Sequence, residues 1–580
     1  MCGLFCYCEI PSDNSPLLLE KALKHLSLLN NRGPDNSSYR FLPYKKFNLF
    51  LAHTRLAIQD TSALYNQPFI NKITGSQLIY NGEIYDYGGY NKKFSDFSSD
   101  TTALSQILEE KNFDLSQIDG MYSFVHWNAK KNILTIARDR FGIKPLFIHK
   151  SKNLIAFSSS LRLLSKVFSL KEINQKYLQD VIFVGHPLDN GTAFEKIEEF
   201  PINQKTIFNP NTFEIFSRPI YINEVFKSEK SNYKFEPAKL ESLLIRSLER
   251  ELGHSDRGSG LFLSGGVDSS LLVSIAAKGN LLKPSKNPLY SINVKCGQND
   301  ESERIEKFKS YLGKRNNLDF NDSYFNSDSV EEILLDYKDL DYPVMDLGIF
   351  PMMKLCKGVE NNIKVVLSGD GADELFGGYE RDRIAFKRFS IINNVPKLIR
   401  NYLSKILKPK ISKYLRIENI FELRLVLMGT PPSFAKSRTS KIDINKDIFQ
   451  ELLLFEQKTY LRSVLAKVDA ASMRYSLEIR VPYLSNLIAN YISKNHINFL
   501  NYPVKYELKE LLKSYTSREF AYLNKKGLNV GDENIIDCIN YNLRSTNKLE
   551  VLEDLKEMVN SSPIFQVRLN LLSYWINANI

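Results

Sequence analysis

Leu263-Ser264-Gly265-Gly266-Val267-Asp268-Ser269-Ser270 decides how the second half of this 580-residue chain is read. An apolar run at 260–263 leads into it and a helical pattern at 269–278 leads out. Glycines at a strand-to-helix turn leave backbone amides uncovered at a helix N-terminus, an arrangement that cradles phosphate. The Gly-Lys-Ser/Thr ending of a Walker loop is missing. A second apolar run, 364–367, meets another glycine turn, Ser368-Gly369-Asp370-Gly371-Ala372-Asp373-Glu374, dense in carboxylates but without the oxygen spacing of an EF-hand. Strands alternating with helices predict a parallel α/β sheet, and beyond about residue 390 helical periods dominate. Asp268 and Asp373 are the candidate magnesium ligands, because Mg2+ takes hard oxygens and bridges one or two carboxylates to phosphates.

Working back toward the N-terminus, the pattern changes. Short β-type runs at 49–58, 77–80, 122–127, 133–137 and 153–157 alternate with turn signals, and helical patterns occur at 17–29 and 101–110. We expect an α+β domain over 2–210, a linker at 211–235 and the α/β part over 236–580. The linker falls in an irregular stretch rich in proline, asparagine and lysine, including Lys227, Lys230 and Lys234.

The chain is long enough, at 43% hydrophobic residues, to need more than one core. Its 77 Lys and Arg against 66 Asp and Glu give a net charge of +11, but they are scattered rather than clustered, so nucleic acid is not the expected partner. Six cysteines, with Cys2, Cys6 and Cys8 crowded together, form neither a disulfide framework nor spaced zinc pairs. Cys6 and Cys8, two apart on a strand, read as small buried hydrophobes on one face. No apolar run reaches the roughly 18 residues of a membrane span, so a soluble cytoplasmic protein is expected.

Met1 precedes a small residue, so its removal leaves Cys2 as a terminal cysteine with its own α-amine. An amine with a pKa near about 7.7–8.0 can accept the thiol proton and later protonate a leaving group. Cys2 is followed by Arg32-Gly33-Pro34-Asp35, Ala52-His53-Thr54-Arg55-Leu56, Asn81-Gly82-Glu83-Ile84-Tyr85 and Ser99-Asp100-Thr101. In that order these motifs resemble the class II glutamine amidotransferases. Glutamine is a zwitterion, and Arg55 suits its carboxylate. The resemblance implies an N-terminal nucleophile α-β-β-α sandwich, Glu83 and Asp100 on the α-ammonium, and Asn81 with the Gly82 amide as oxyanion hole. Standing alone, Asn81-Gly82 would read as a hairpin turn. The stretch Arg138 to Leu146 also matches and is expected to serve structure.

In the second half, the loop at 263–270 resembles the pyrophosphate loop of enzymes that split ATP into AMP and pyrophosphate. Lys467-Val468-Asp469-Ala470-Ala471-Ser472-Met473, the run 476–484 and Lys505-Tyr506-Glu507-Leu508-Lys509 complete a resemblance to glutamine-hydrolysing asparagine synthetase that extends from Cys2 to about Gly527. The resemblance implies ATP contacts at Phe262, Ser264, Gly265, Gly266, Asp268, Ser269, Val294, Ser368 and Gly369. It implies an acceptor or intermediate site with Asp370, Lys467 and Arg480, Lys509 neutralising charge that grows on phosphate and acyl oxygens, and a homodimer. By spacing alone, Lys509 and Arg480 would equally be solvated surface charges. The implied reaction amidates aspartate through β-aspartyl-AMP, with ammonia travelling inside the protein between the two sites.

Four positions depart from that pattern. Asp370 stands where glutamate is usual, Gly348 replaces a serine after Asp346, and Ser160 and Thr102 stand in place of glutamates. The acceptor is therefore open between aspartate and another carboxylate such as a sugar uronic acid. A non-catalytic paralogue is a further reading, opposed by the intact Cys2, Arg55, Asp100, Asp268, Asp373 and Lys509.

Overall fold

The computed structural model describes residues 2–59, 61–85, 99–110, 113–221, 235–283, 286–294, 302–312, 318–440, 442, 448–494, 502–523, 533–543, 559–560 and 562–579. Lys227, Lys230, Lys234 and Gly527 lie outside them.

Two antiparallel sheets occupy the first 220 residues. One runs β10-β8-β9-β1-β3-β2 and consists of β1 (Gly3–Glu9), β2 (Asn36–Pro43), β3 (Asn48–Arg55), β8 (Phe147–Ser151), β9 (Leu154–Ser158) and β10 (Ile197–Glu199). The other runs β12-β11-β7-β6-β5-β4, from β4 (Phe69–Ile70), β5 (Gln77–Ile84), β6 (Gly120–Asn128), β7 (Ile133–Arg138), β11 (Gln204–Asn209) and β12 (Glu214–Pro219). Side-chain alternation explains why β1 is buried throughout. Leu4, Cys6 and Cys8 point between the sheets onto Ile79, Val125 and Trp127. Phe5 and Tyr7 point the other way, onto Ala22, Leu163 and Leu164 of two covering helices. On the far face of the second sheet, Leu78, Tyr80 and Phe124 meet Leu104 and Ile107. The result is the expected α-β-β-α sandwich. Its centre is sensitive to volume: Trp127→Ala should cost about 3–5 kcal/mol.

The stretch read as irregular before residue 220 contains β11 and β12. They extend the second sheet at its edge, pairing Ile207 with Phe216. The expected linker at 211–235 thus begins inside this hairpin, and its residues 222–234 lie outside the described ones. Asn81-Gly82 is not a hairpin turn either. Both residues sit inside β5, with Gly82 opposite Tyr122.

Beyond residue 235 the described strands form a parallel sheet, β15-β14-β13-β16-β17. These are β13 (Gly258–Phe262), β14 (Leu289–Val294), β15 (Phe320–Phe325), β16 (Ile363–Leu367) and β17 (Glu478–Arg480). The chain moves outward from β13 through β14 to β15, then returns to β16 on the other side. That reversal opens a crevice at the carboxyl ends of β13 and β16, the usual ligand position in such sheets. Both glycine loops named above emerge there.

Buried charge joins the two halves. Arg32 is fully enclosed; it holds both oxygens of Asp469, at 2.9 and 3.0 Å, and also bonds Asp341 at 2.9 Å. Its Nε reaches the Cys2 carbonyl at 3.3 Å. Arg438 grips Asp180 in the same two-pronged way, at 2.7 and 2.6 Å. Among the described residues no helix is long and apolar enough to cross a membrane.

Candidate active sites

Strand geometry assembles the first site. Cys2 enters β1, Arg55 ends β3, Asn81 to Glu83 lie along β5, and Asp100 opens the helix Asp100–Ile107. Cys2, Arg55, Gly82, Glu83 and Asp100 line, with Glu478, a pocket of about 410 Å3, counting its open mouth, and Asn81 lies behind its wall. The Cys2 backbone nitrogen, which would be the α-amine of a chain lacking Met1, donates to Asn81 Oδ1 at 3.1 Å. Asn81 Nδ2 is left buried without a hydrogen-bond partner. A Cβ at Gly82 would stand 2.0 Å from the Met121 carbonyl, at a φ of +151°, so only glycine fits the strand there. Arg55 is braced by the Ser62 carbonyl at 2.7 Å and by Asn66 Oδ1 at 3.0 Å.

Burial shapes the acid–base character of this pocket. It pushes the Cys2 thiol up, against the pull of the N-terminal charge and Arg55. It raises Asp100 to about 6, although Tyr80 Oη and the Ile84 amide donate to the carboxylate. Glu83 is raised well above its ordinary range by burial and by Asp100. An α-ammonium placed between Glu83 and Asp100 would relieve both.

Two residues of the other half also reach this pocket. Glu478 lines it. Burial would raise Glu478, but Arg480, the N-terminal charge and Lys144 hold it at about 2. Arg480, expected on the acceptor side, is fully buried. It donates to Glu478 Oε1 at 2.6 Å and lies 3.5 Å from Glu83 Oε1. Only its backbone approaches the second glycine loop, where its carbonyl accepts from the Ser368 amide at 2.9 Å.

Loops build the second site. The helix Val267–Lys278 starts directly after Gly266, and Gly265 takes a φ of +68°. Ser269 Oγ accepts from the Ser264 amide at 3.1 Å and keeps the turn closed. Phe262 and Val294 are buried at the ends of β13 and β14. The neighbouring loop packs tightly, since a Cβ at Gly369 would come within 2.9 Å of Asp268 Cβ. Asp268 and Asp373, 105 positions apart in the numbering, meet here. Lys505 Nζ spans them, 2.5 Å from Asp268 Oδ2 and 2.7 Å from Asp373 Oδ1. Sequence reasoning favoured Lys509. That side chain lies over the Tyr522 ring, lowered by burial and by the nearby Lys505. Lys505 stands just before the helix Tyr506–Tyr515, in a left-handed conformation that its sequence does not announce, and Lys509 lies on the helix itself, so the sequence could not choose between them.

The candidate acceptor residues lie beside this loop. Lys467 Nζ pairs with Asp346 Oδ2 at 2.7 Å, and Asp370 accepts from Ser368 Oγ. Burial would raise Asp346, yet Lys467 holds it below its ordinary value. Gly348 sits against the pair, because a Cβ there would meet Asp346 Oδ1 at 3.1 Å and Lys467 Nζ at 3.4 Å. The other departures have structural work. Ser160 caps a helix by accepting from the Leu163 amide, and Thr102 donates to the Ser99 carbonyl at 2.7 Å. In the run from 138 to 146, Asp139 gathers the amides of Tyr122, Phe141, Ile143 and Lys144.

Known proteins match on both halves. A family profile described as Asparagine synthase matches residues 239–549, and one described as Glutamine amidotransferase domain matches residues 1–218. A putative glutamine-hydrolyzing asparagine synthetase 2 of Methanocaldococcus jannaschii is 27% identical over 474 residues, covering 75% of this chain and 85% of that protein. A probable asparagine synthetase of Acanthamoeba polyphaga mimivirus is 29% identical over 405 residues, 66% and 68% of the two chains. Asparagine synthetase 1 of Bacillus subtilis is 26% identical over 558 residues, 88% and 83% of the two.

Proposed function

The chain belongs to the asparagine synthase family of glutamine-dependent amidotransferases, and on that premise we propose that it transfers the amide nitrogen of glutamine to the side-chain carboxylate of aspartate at the expense of ATP. The observation that carries the reading is the bridge Asp268–Lys505–Asp373 beside the glycine loop at 264–270. Two carboxylates separated by a glycine loop and held at the switch point of a parallel sheet suit a nucleotide with its cation. The ammonium of Lys505 occupies the place a cation would take.

At the first site, Cys2 gives its proton to its own α-amine and attacks the glutamine amide carbon. Asn81 Nδ2 and the Gly82 amide receive the developing oxyanion. Arg55 holds the α-carboxylate; Glu83 and Asp100 hold the ammonium. Ammonia departs, and water cleaves the thioester to glutamate.

At the second site, Ser264 to Ser269 with Ser368 and Gly369 hold the phosphates of ATP. Asp268 and Asp373 provide the hard oxygens that suit Mg2+, which when bound neutralises phosphate charge. The aspartate carboxylate, beside Lys467 and Asp370, attacks the α-phosphorus; pyrophosphate leaves and β-aspartyl-AMP forms. Lys505 and Lys509 face the departing phosphates. Ammonia then attacks the acyl carbon and AMP leaves. Glu478 and Arg480 tie the glutamine pocket to the sheet that bears the nucleotide loops.

Exchange of labelled pyrophosphate into ATP tests this reading. Exchange that requires aspartate supports it, and exchange indifferent to aspartate overturns the choice of acceptor.

A further inference from the structure

Eight of the twenty large apolar side chains exposed among the described residues fall between Ile384 and Ile411. The helix Lys397–Ile406 lies at the middle of that stretch. Leu398, Ile399, Tyr402 and Ile406 recur on it at the spacing of a single face, and on a surface helix such a stripe normally packs against the core. Here it faces out. Leu398 is 85% exposed, Tyr402 67%, Ile406 61% and Ile399 50%. The buried residue of this helix is the polar Ser404, whose carbonyl accepts from Ser412 Oγ at 2.6 Å. Arg400 Nη1 reaches back to the Ile417 carbonyl at 3.1 Å. The polar side thus docks on the protein and the apolar side meets solvent. Leu407 and Ile411, the latter on the next helix Pro409–Leu415, are exposed as well.

Charge identifies what covers this face. Between Asp382 and Glu418 the chain carries ten Lys and Arg and no Asp or Glu. Glu418 is itself within ion-pair distance of Lys397 and Lys436, at 3.6 and 3.2 Å. Lys405 and Lys408, beside the apolar stripe, are exposed. A second copy of the chain seated on the same patch about a two-fold axis would set these cations against one another. A nucleic acid would meet the cations but leave the leucine and isoleucine side chains in water. An anionic bilayer satisfies both features, because the stripe enters the boundary between headgroups and acyl chains while lysine ammoniums stay at the lipid phosphates. The helix has 10 residues, so it is about 15 Å long against a hydrocarbon thickness of about 30 Å, and it lies along the surface instead of crossing it.

We propose that the helix Lys397–Ile406 is a membrane-surface anchor, which holds this chain on anionic lipid bilayers by inserting Leu398, Ile399, Tyr402 and Ile406, with Lys405 and Lys408 at the headgroups. The anchor is independent of which carboxylate the enzyme amidates.

Flotation of the full chain with lipid vesicles tests the anchor, comparing phosphatidylcholine alone with phosphatidylcholine containing about 30% phosphatidylserine. The wild type should float with the phosphatidylserine vesicles, bind phosphatidylcholine at least about tenfold more weakly, and release as salt rises toward about 0.5 M. Leu398→Gln combined with Tyr402→Gln should weaken binding to the anionic vesicles at least about tenfold, and Lys405→Gln combined with Lys408→Gln about 3- to 30-fold. All four side chains are exposed, so the melting curves should match that of the wild type. Tyr402→Trp adds an independent signal. The two native tryptophans, Trp127 and Trp575, are fully buried, so a blue shift of emission on adding anionic vesicles reports the new side chain. A wild type that floats with neither vesicle, binding kept in full by the Leu398 and Tyr402 double variant, or an unshifted emission would overturn the proposal. So would sedimentation showing a wild-type dimer that this double variant converts to a monomer, which would assign the face to a second copy of the chain.

Discussion

Around Cys2 the proposed glutamine-site residues stand on strands, Arg55 at the end of β3 and Asn81, Gly82 and Glu83 in succession along β5. Around Asp268 they stand on two loops and at Lys505, which precedes the helix Tyr506–Tyr515 more than a hundred residues downstream. Strand pairing fixes the first group before any substrate arrives, because a slip of one residue would turn every side chain to the opposite face. The second group is held by mutual charge: Lys505 bridges Asp268 and Asp373, and under the proposed function it would give way to phosphate and cation. The first site is preorganised by backbone, the second by counter-charge. Arg32 and Arg480 join them.

The sharpest way to separate the two regions is to remove the thiol. Cys2→Ala should lower glutamine-dependent amide formation at least about a thousandfold, while ammonia-dependent formation continues, as an assay with each nitrogen source would show. Breaking the seam comes next. Arg32→Ala leaves the buried Asp469 carboxylate, and the partly exposed Asp341 beside it, without their cation and should cost about 3–5 kcal/mol in denaturant unfolding. If stability is unchanged, the seam is not held by this network.

Within the second site, Lys505→Gln should slow pyrophosphate exchange about 10- to 100-fold, and Lys509→Gln by less than about tenfold. The reverse order would restore Lys509 as the principal cation. The smallest effect is on pH. Asp100 is raised to about 6 by burial, so it is charged above that value and neutral below it. KM for glutamine should therefore rise as pH falls through about 6, tracked by initial rates. The raised carboxyl contributes stability that is present below about pH 4 and lost as pH rises through about 6. Asp100→Asn should accordingly melt higher than the wild type at pH 8 and level with it at pH 4, while losing glutamine affinity.

Legibility in the sequence followed the same divide. β3, β5, β6, β7 and β9 were readable because they carry buried, strand-favouring runs, and the glutamine residues lie in short motifs along them. β12 was not, since its residues are almost all exposed at a sheet edge and lack an apolar alternation. β17 is only three residues long and follows a long helical region. Its shortness hid the fact that the Arg480 side chain turns toward Glu83 although its backbone neighbours Ser368. Glu478 was missed for the same reason. At the acceptor end Lys467, Asp370 and Gly348 could be named from the sequence, but not the ion pair of Lys467 with Asp346, 121 residues away, which only folding brings together.

The central claim is that one chain moves nitrogen from a cysteine site to an ATP-activated carboxylate. Incubation with glutamine labelled with 15N in its amide, ATP and aspartate tests it in one measurement. The account predicts 15N in the side-chain amide of the product, with AMP and pyrophosphate formed in equal amounts to it. Unlabelled product, or ADP and phosphate in place of AMP and pyrophosphate, would contradict it.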